Sequence, residues 1–376
     1  MKRILLASAS IVAFAGAAAA EISFSGEAVL GYNDTEALDG DEDAAGNLTV
    51  GDEDTGFYWS GELGITMSQE LDNGLVAAAT VTSDVVDNQL EGDIFAEGFV
   101  LSLTSETAAL FFGDTDMAAN LRWDGVSEMA HDGFSETDGE TVLRGDFMAY
   151  GLDVSVSALV DDTFDGDTTG LDGSGDTLDQ YSVGVAGTIG AFQMSAAYQE
   201  EERDFDFGGD DFNPNQIFGI SVGAAFAGAD VDVAYAREED ASGDSESSTG
   251  IEVAYPIGPV TLGAFYVSES DDDGDSFGVA ADYVSGALTV TTAYEEVREG
   301  DEDWAIEAGY DFGMGLNAYA GVSDAGDDYY VAGTYDLAEG AQLLVSYAED
   351  DDRDSEDEIG DPEYQEGTTV EVSFEF

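Results

Sequence analysis

The sequence predicts an all-β protein: a closed, antiparallel, up-and-down transmembrane β-barrel of about 16 to 20 strands, with about 20 by direct count. Three observations predict it. From residue 21 onward, runs of roughly ten residues alternate apolar and polar side chains, which is the period of a β-strand. Short turns and long acidic loops alternate between these runs. Nine acidic side chains within the runs fall on the polar face of their strands.

The N-terminal segment has the pattern of a secretory signal. Lys2 and Arg3 precede an apolar run over residues 4–15, and the alanines at 18–20 are small enough for cleavage after them. The apolar run is too short to cross a bilayer as a helix. We therefore expect residues 1–20 to be a cleaved signal peptide and residues 21–376 to form a single barrel domain.

The composition excludes several classes of protein. After residue 20 there are six arginines and no lysine against 84 acidic residues, a net charge of 6 − 84 = −78. Such a charge repels nucleic acid and anionic lipid headgroups. The chain is nevertheless 43% hydrophobic and 11% aromatic, which is too apolar for a disordered protein. It has no cysteine, so disulfides, thiolate nucleophiles and cysteine zinc sites are excluded.

The alternation is clear within individual strands. In "GFYWSGELGITMSQ" (56–69), Phe57 and Trp59 lie on one face and Tyr58 on the other. The run "DWAIEAGYDF" (303–312) repeats the pattern. No stretch after residue 20 has ~18 consecutive apolar residues, so any membrane crossing must use strands.

The connections between strands are of two alternating kinds. Short, turn-like ones occur at 71–74, 104–107, 149–152, 189–192, 227–230, 255–260, 285–287, 313–315 and 338–341, and long acidic ones lie between them. Strict alternation places all turns at one end of the sheet, facing the periplasm, and all long loops at the external end. Closure into a barrel is expected because a sheet in lipid must leave no backbone edge unpaired.

Acidic residues on the polar register indicate a water-filled interior. A charged side chain facing lipid costs about 1 to 4 kcal/mol, depending on its depth. We therefore expect these residues to line the lumen, and they include Glu27, Glu62, Asp232, Glu252, Asp282, Glu307, Asp311, Glu371 and Glu375. Aromatic residues near the short turns have the positions of an interfacial girdle.

Several segments resemble one family. They are "EISFSGEAVLGYN" (21–33), the hairpin "SGELGITMSQELDNGLVAAATV" (60–81) and "ETAALFFGDTDMAANL" (106–121), which leads into a long third loop. They resemble the general diffusion porins of Gram-negative bacteria, in particular the alphaproteobacterial, Rhodobacter-type porins. The resemblance implies a homotrimer of outer-membrane barrels, usually of about sixteen strands each, through which small hydrophilic solutes and ions diffuse passively.

The resemblance also implies that the third loop, about 114–143, folds inward and narrows the channel. Its acidic residues are Asp114, Asp116, Asp124, Glu128, Asp132, Glu136, Asp138 and Glu140. In the family such a loop commonly faces a cluster of basic residues, for which the candidates here are Arg144, Arg237 and Arg298. Because the basic side is thin, we expect cation selectivity, with these arginines and the acids Glu27, Glu62, Glu252, Glu307 and Asp311 on the pore wall.

The alternating end "TTVEVSFEF" (368–376) also matches the family. Family members end on an aromatic residue in a strand that the outer-membrane assembly machinery reads. The resemblance assigns this signal to Phe376, and it implies that the last strand closes the barrel against the first.

The sequence contains one motif typical of calcium loops. In "DGDTTGLDGSGD" (165–176), five residues occupy positions 1, 3, 5, 6 and 12 of an EF-hand-like loop: Asp165, Asp167, Thr169, Gly170 and Asp176. Position 12 is Asp instead of Glu, and strands flank the loop, so a solvated acidic loop is the alternative. No cofactor is required, but Ca²⁺ or Mg²⁺ bridging carboxylates of the acidic loops is expected.

No pattern selects an enzymatic reaction. The single histidine, His131, lies in the third loop, where we interpret it as a polar loop residue. A Walker phosphate loop needs a lysine that the chain after residue 20 lacks. Two other hypotheses stay open beside a cation-selective pore: a soluble, secreted, acidic all-β protein of a halophile, and a structural or adhesive outer-membrane barrel that does not conduct.

Overall fold

The computed structural model describes residues 21–34, 56–87, 95–134, 141–160, 180–201, 216–240, 242–271, 274–298, 302–323, 326, 328–349 and 364–376. The predicted signal peptide lies outside these residues, as do large parts of the long loops. Among the described residues, no helix is both long enough and apolar enough to cross a membrane.

The described residues form twenty strands, which confirms the count made from the sequence. Their bounds are β1 Glu21–Asn33, β2 Phe57–Glu70, β3 Val76–Asp87, β4 Phe95–Thr104, β5 Ala108–Gly113, β6 Val142–Ala149, β7 Leu152–Leu159, β8 Gln180–Ile189, β9 Phe192–Glu201, β10 Gln216–Phe226, β11 Ala229–Glu239, β12 Ser245–Ile257, β13 Val260–Glu269, β14 Ser276–Ser285, β15 Leu288–Glu296, β16 Glu302–Gly313, β17 Leu316–Ser323, β18 Asp328–Ala338, β19 Ala341–Glu349 and β20 Gly367–Glu375. One short helix, α1 (Ala118–Arg122), lies between β5 and β6. The barrel therefore has more strands than the sixteen that the resemblance implies.

The sheet is closed. Every strand pairs antiparallel with the next strand along the chain. The last strand pairs with the first, with Glu375 opposite Glu27, and the Phe376 amide donates to the Gly26 carbonyl at 2.9 Å. Among the strands that the structure describes, no edge is left unpaired, as a barrel in lipid requires. A single closed sheet differs from the two stacked sheets that the soluble alternative needs.

Large apolar side chains cover the outer face. On β10, Phe218, Ile220 and Phe226 are exposed, whereas Ile217 and Ser221, at alternate positions of the strand, are buried. Aromatic side chains form two outer belts: one near the short turns with Phe192, Phe226, Tyr255, Phe312 and Tyr335, and one near the long loops with Tyr32, Phe57, Phe218, Tyr235, Tyr266, Phe277, Tyr329 and Tyr347. At the usual strand rise and tilt, Phe218 and Phe226 are separated by roughly 20 Å of barrel height. Such belts around an apolar band are typical of a barrel in a bilayer.

Tight turns keep the two faces in register. Tyr150 and Gly151 connect β6 to β7 with φ of 57° and 83°, and Ala227 and Gly228 connect β10 to β11 with φ of 52° and 89°. Positive φ at both central residues is the mark of a type I′ turn, whose twist matches that of the flanking strands. Inner and outer positions therefore continue from one strand to the next.

Candidate pore constriction

Loop 3, the segment 114–141 between β5 and β6, lies against the inner face of the barrel in its described part, 114–134. Its first residues are held by Arg144 of β6, which donates from Nη1 to the Asp116 carbonyl at 2.6 Å. The guanidinium also lies 3.2 Å from Asp146 Oδ1 and over the Phe111 ring. Arg144 is almost fully buried by these contacts.

Serine hydroxyls on the inner face accept hydrogen bonds from the loop 3 backbone. The pairs are Ala118 N to Ser157 Oγ (2.8 Å), Ala119 N to Ser182 Oγ (3.0 Å), Asp124 N to Ser195 Oγ (3.2 Å) and His131 N to Ser248 Oγ (3.0 Å). The first two satisfy the N-terminus of α1, whose N-cap residue Met117 makes no side-chain cap. A helix of five residues is not stable by itself, so α1 depends on these contacts.

Glycines of the inner face leave room for loop 3. A Cβ at Gly184 would lie 2.1 Å from the Ala118 carbonyl oxygen, and one at Gly219 would lie 2.5 Å from the Trp123 ring. A Cβ at Gly250 would lie 2.7 Å from a side chain of loop 3. Any larger residue at these positions would push loop 3 away from the barrel wall.

Apolar packing completes the contact between loop 3 and the barrel. Two clusters bury loop side chains against small or aliphatic inner-face residues: one joins Ala119, Trp123 and Phe134 to Ala197 and Ile217, and the other joins Val126 and Met129 to Ala234, Ala236 and Val267. We call the inner face of β6–β13 the loop-bearing wall. The opposite inner face, from β16 through β20 to β3, is the open wall.

The loop 3 acids differ in exposure. Asp114, Asp116, Asp124 and Glu128 are exposed within the barrel. Asp132 is half-buried and accepts a hydrogen bond from Trp123 Nε1 at 2.9 Å. Burial raises the pKa of Asp132 to about 6, with a further contribution from the nearby Glu269 carboxylate. The remaining acids predicted for this loop lie outside the described residues: Glu136, Asp138 and Glu140.

The structure places the wall acids predicted from the sequence on the inner register of their strands. Glu27 lies directly opposite Glu62 on one side and Glu375 on the other. Glu307 accepts a hydrogen bond from Tyr330 at 3.0 Å, and Asp311 lies two inner positions further along β16. A separate acid, Glu252 on the loop-bearing wall, accepts a hydrogen bond from the Ser127 hydroxyl at 3.1 Å. Acidic side chains therefore occur on both walls.

The three arginines predicted for the wall have three different positions. Arg144 is on the inner wall, but its guanidinium is engaged with the start of loop 3. Arg298 lies beyond the end of β15, 3.4 Å from Asp271 Oδ2. Arg237 shares the outer register of β11 with Tyr235 and pairs with Glu239 at 2.9 Å, so its assignment to the lumen is wrong.

One cation inside the barrel was missed by the sequence analysis. Arg122 in α1 donates from Nε to Ser155 Oγ of β7 at 2.8 Å. Its position in loop 3 would have suggested this, because the loop was expected to fold inward. The residues of the calcium motif, Asp165, Asp167, Thr169 and Asp176, lie outside the described residues.

A closed twenty-stranded barrel with an apolar outer belt, an acidic inner face and a loop packed inside defines a class of outer-membrane channel-like barrels. The family model of Gram-negative porins matches residues 7–355, and the chain belongs to that family. The family confirms the predicted location in the outer membrane.

One similar protein is a porin of Fuscovulum blasticum, which is 37% identical over 158 residues. That match covers 37% of this chain and 54% of the relative, so the chain spans about half the length of the curated relative it matches. Among solved structures, a mutant of Rh. blastica porin with five substitutions is 15% identical, with a TM-score of 0.42, and covers 94% of this chain and 100% of that one. A second Rh. blastica mutant is 17% identical at a TM-score of 0.42, with the same coverage.

Proposed function

We propose that this protein is a passive, water-filled channel through which small hydrophilic solutes and ions diffuse, with selectivity for cations. The observation that carries the proposal is the charge of the inner face. Exposed carboxylates occur on loop 3, while two arginines described within the barrel, Arg122 and Arg144, are bound to the wall and to the loop backbone. Rings of carboxylates in a pore attract cations and exclude anions.

In this proposal, solutes and ions pass through the barrel between loop 3 and the open wall. Hydrogen bonds from the described part of loop 3 reach strands of the loop-bearing wall, as with Ser182 and Ser248. The open wall presents Glu27, Glu62 and Glu307 to the same space. A permeating cation would therefore pass between two acidic surfaces, and loop 3 would set the size limit.

Electrical recording tests both parts of the proposal. Purified protein in a planar bilayer of neutral lipid should give single-channel steps, and a KCl gradient should give a reversal potential of the sign set by K⁺. The preference should weaken as salt rises, because the Debye length falls from about 30 Å at 0.01 M to about 3 Å at 1 M. Insertion without conductance would favour the non-conducting barrel. Equal cation and anion permeability at low salt would refute the selectivity alone.

We also propose that the protein forms a homotrimer and is recognised by the outer-membrane assembly machinery through its last strand. Phe376 supports the second point because its side chain is exposed and stacks beside Phe374, with ring centroids 6.4 Å apart. Mass measurement in detergent tests the trimer. Deletion of Phe376 should lower the amount of folded protein in the outer membrane while leaving refolding in detergent intact.

A further inference from the structure

The single histidine of the chain is surrounded by carboxylates. His131 of loop 3 is only 4% exposed. Its Nδ1 lies 3.0 Å from Glu238 Oε1 and 3.9 Å from Glu246 Oε2. On the other side of the ring, Nε2 lies 3.2 Å from Asp271 Oδ2 and 3.8 Å from Glu269 Oε2. This buried imidazole therefore faces four acids, contributed by two neighbouring hairpins and the loop that follows.

The two ring nitrogens have different partners. Nε2 is within hydrogen-bond distance of Asp271 Oδ2, which also lies 3.4 Å from Arg298 Nη1. Nδ1 is buried and makes no hydrogen bond, despite its short distance to Glu238. If Nε2–H donates to Asp271, the Nδ1 lone pair points toward two carboxylates. A carboxylate on the far nitrogen is the usual partner of a histidine that binds a metal.

The carboxylates of Glu238 and Glu246 repel each other when no cation lies between them. Glu238 of β11 and Glu246 of β12 are directly opposite each other in the strand pairing, on the inner register. Like charges at directly opposed positions destabilise a pair of strands. A cation between them would remove that repulsion and would also satisfy the His131 nitrogen.

We propose that His131 Nδ1, Glu238 and Glu246 form a binding site for a divalent transition-metal ion of the zinc class. Their ligand atoms all lie within 4.8 Å of one another. Metal–ligand bonds of about 2.1 Å place neighbouring ligand atoms about 3.0 to 3.4 Å apart, so only small side-chain movements are needed. The imidazole favours Zn²⁺, Cu²⁺ or Ni²⁺ over Ca²⁺ and Mg²⁺, which prefer oxygen. The site does not depend on conduction.

The bound ion would fasten loop 3 to the barrel. His131 belongs to loop 3, whereas both glutamates belong to the loop-bearing wall. The bound metal ion would lie near the external ends of β11 and β12, where ions from the medium can reach the site. The metal would thus hold the later part of loop 3, as Arg144 holds its beginning.

Spectroscopy of the bound metal gives the most direct test. Untagged protein in detergent is titrated with Cu²⁺ or Zn²⁺ in the presence of excess Mg²⁺, which occupies the many oxygen-only acidic sites. We expect one equivalent to bind, and the electron paramagnetic resonance spectrum of the copper form should show nitrogen coupling. That coupling can be assigned because the chain has one histidine. A proton shared between His131 and Glu238, with no metal, would instead leave no saturable equivalent and would overturn the proposal.

Adjacent glutamates provide a matched pair of variants. Glu238→Gln and Glu239→Gln make the same change at neighbouring positions, but only Glu238 faces the imidazole, whereas Glu239 pairs with Arg237 on the outer register. Glu238→Gln should weaken Zn²⁺ binding at least tenfold, and Glu239→Gln should leave it unchanged. His131→Gln should abolish the nitrogen coupling. If that variant does not fold, Glu246→Gln supplies the test, and unchanged Zn²⁺ affinity in Glu238→Gln and Glu246→Gln would refute the site.

Discussion

The two walls of the barrel use glycine in different ways. On the loop-bearing wall, Gly184 and Gly219 lie beneath loop 3. On the open wall, cross-strand tyrosines cover two glycines: the Tyr58 ring lies over Gly31, and the Tyr330 ring lies over Gly321. The same small residue thus receives a loop on one side and an aromatic ring on the other. An inner-face glycine therefore indicates that another group packs over it. Whether that group is loop 3 or an aromatic ring depends on the residue opposite the glycine on the neighbouring strand.

The walls also differ in polarity. The loop-bearing wall has small serines and alanines that are buried beneath loop 3. The open wall carries longer polar side chains, such as Glu62, Glu371 and Tyr58, which donates to Glu371 at 2.6 Å. The open wall is also covered in part, where Tyr364 packs with Tyr330, Ala332 and Ala348 in a buried cluster.

The largest expected effect comes from filling the space beneath α1. In Gly184→Val the new side chain would meet the Ala118 carbonyl, a backbone atom that cannot simply rotate away. Overpacking of this kind costs about 1 to 3 kcal/mol. We expect loop 3 to detach locally, with larger and noisier single-channel conductance and faster proteolysis of the loop. Gly333→Val is the control, because a Cβ there meets nothing closer than 3.6 Å; equal behaviour of the two variants would contradict the docking.

Removing exposed acids from loop 3 should change selectivity without moving the loop. We expect Asp124→Asn combined with Glu128→Gln to lower the ratio of cation to anion permeability several-fold at low salt, because carboxylates lining a pore set its preference. Asp124 also repels the Asp232 carboxylate of β11, so its removal should not destabilise the barrel. The measurement is the reversal potential in a KCl gradient. Glu239→Gln, which removes a charge from the outer register, should leave that potential unchanged.

A smaller effect is expected from one of the serines that hold α1. Ser182→Ala removes the acceptor of the Ala119 N–H, and loss of such a cap costs about 1 kcal/mol. Proteolysis of loop 3 should become faster, with little change in the melting temperature of the barrel. Ser23→Ala on β1 makes the same change on the open wall and should have no effect on the loop. If proteolysis of loop 3 in Ser182→Ala were no faster than in the unchanged protein, the Ser182 hydroxyl would not stabilise loop 3.

The barrel could be predicted from the sequence because lipid constrains one face of every strand. Alternation over the membrane-spanning part gave the strands, their number and the inner position of residues such as Glu27 and Glu307. The requirement for an apolar outer face ends near the long loops, where both faces of a strand are in contact with water. Arg237 lies in that zone, so a polar residue there does not reveal its direction, and its assignment to the lumen failed.

The contacts of loop 3 were harder to predict because its partners are distant in sequence. His131 meets carboxylates of β11 to β13, more than a hundred residues further along the chain. Period two identifies the inner position of Ser182 or Ser248, but it does not show whether a hydroxyl faces water or a loop. The inner-face glycines 184, 219 and 250 were the available signal, since a glycine inside a strand often marks a place where another segment approaches closely.

The pairing of β1 with β20 has a consequence for folding. Glu27 and Glu375 are neighbours in space but are far apart in the sequence, near the two ends of the barrel domain. The pairing between β1 and β20 can therefore form only after all the strands between them have been synthesised. Contacts between such distant parts of a chain make folding slow. During this delay the apolar strands are exposed, and mutual repulsion among the many carboxylates would keep the unfinished chains apart. The acidity to which we attribute the proposed cation selectivity would thus also protect the protein from aggregation before the barrel has closed.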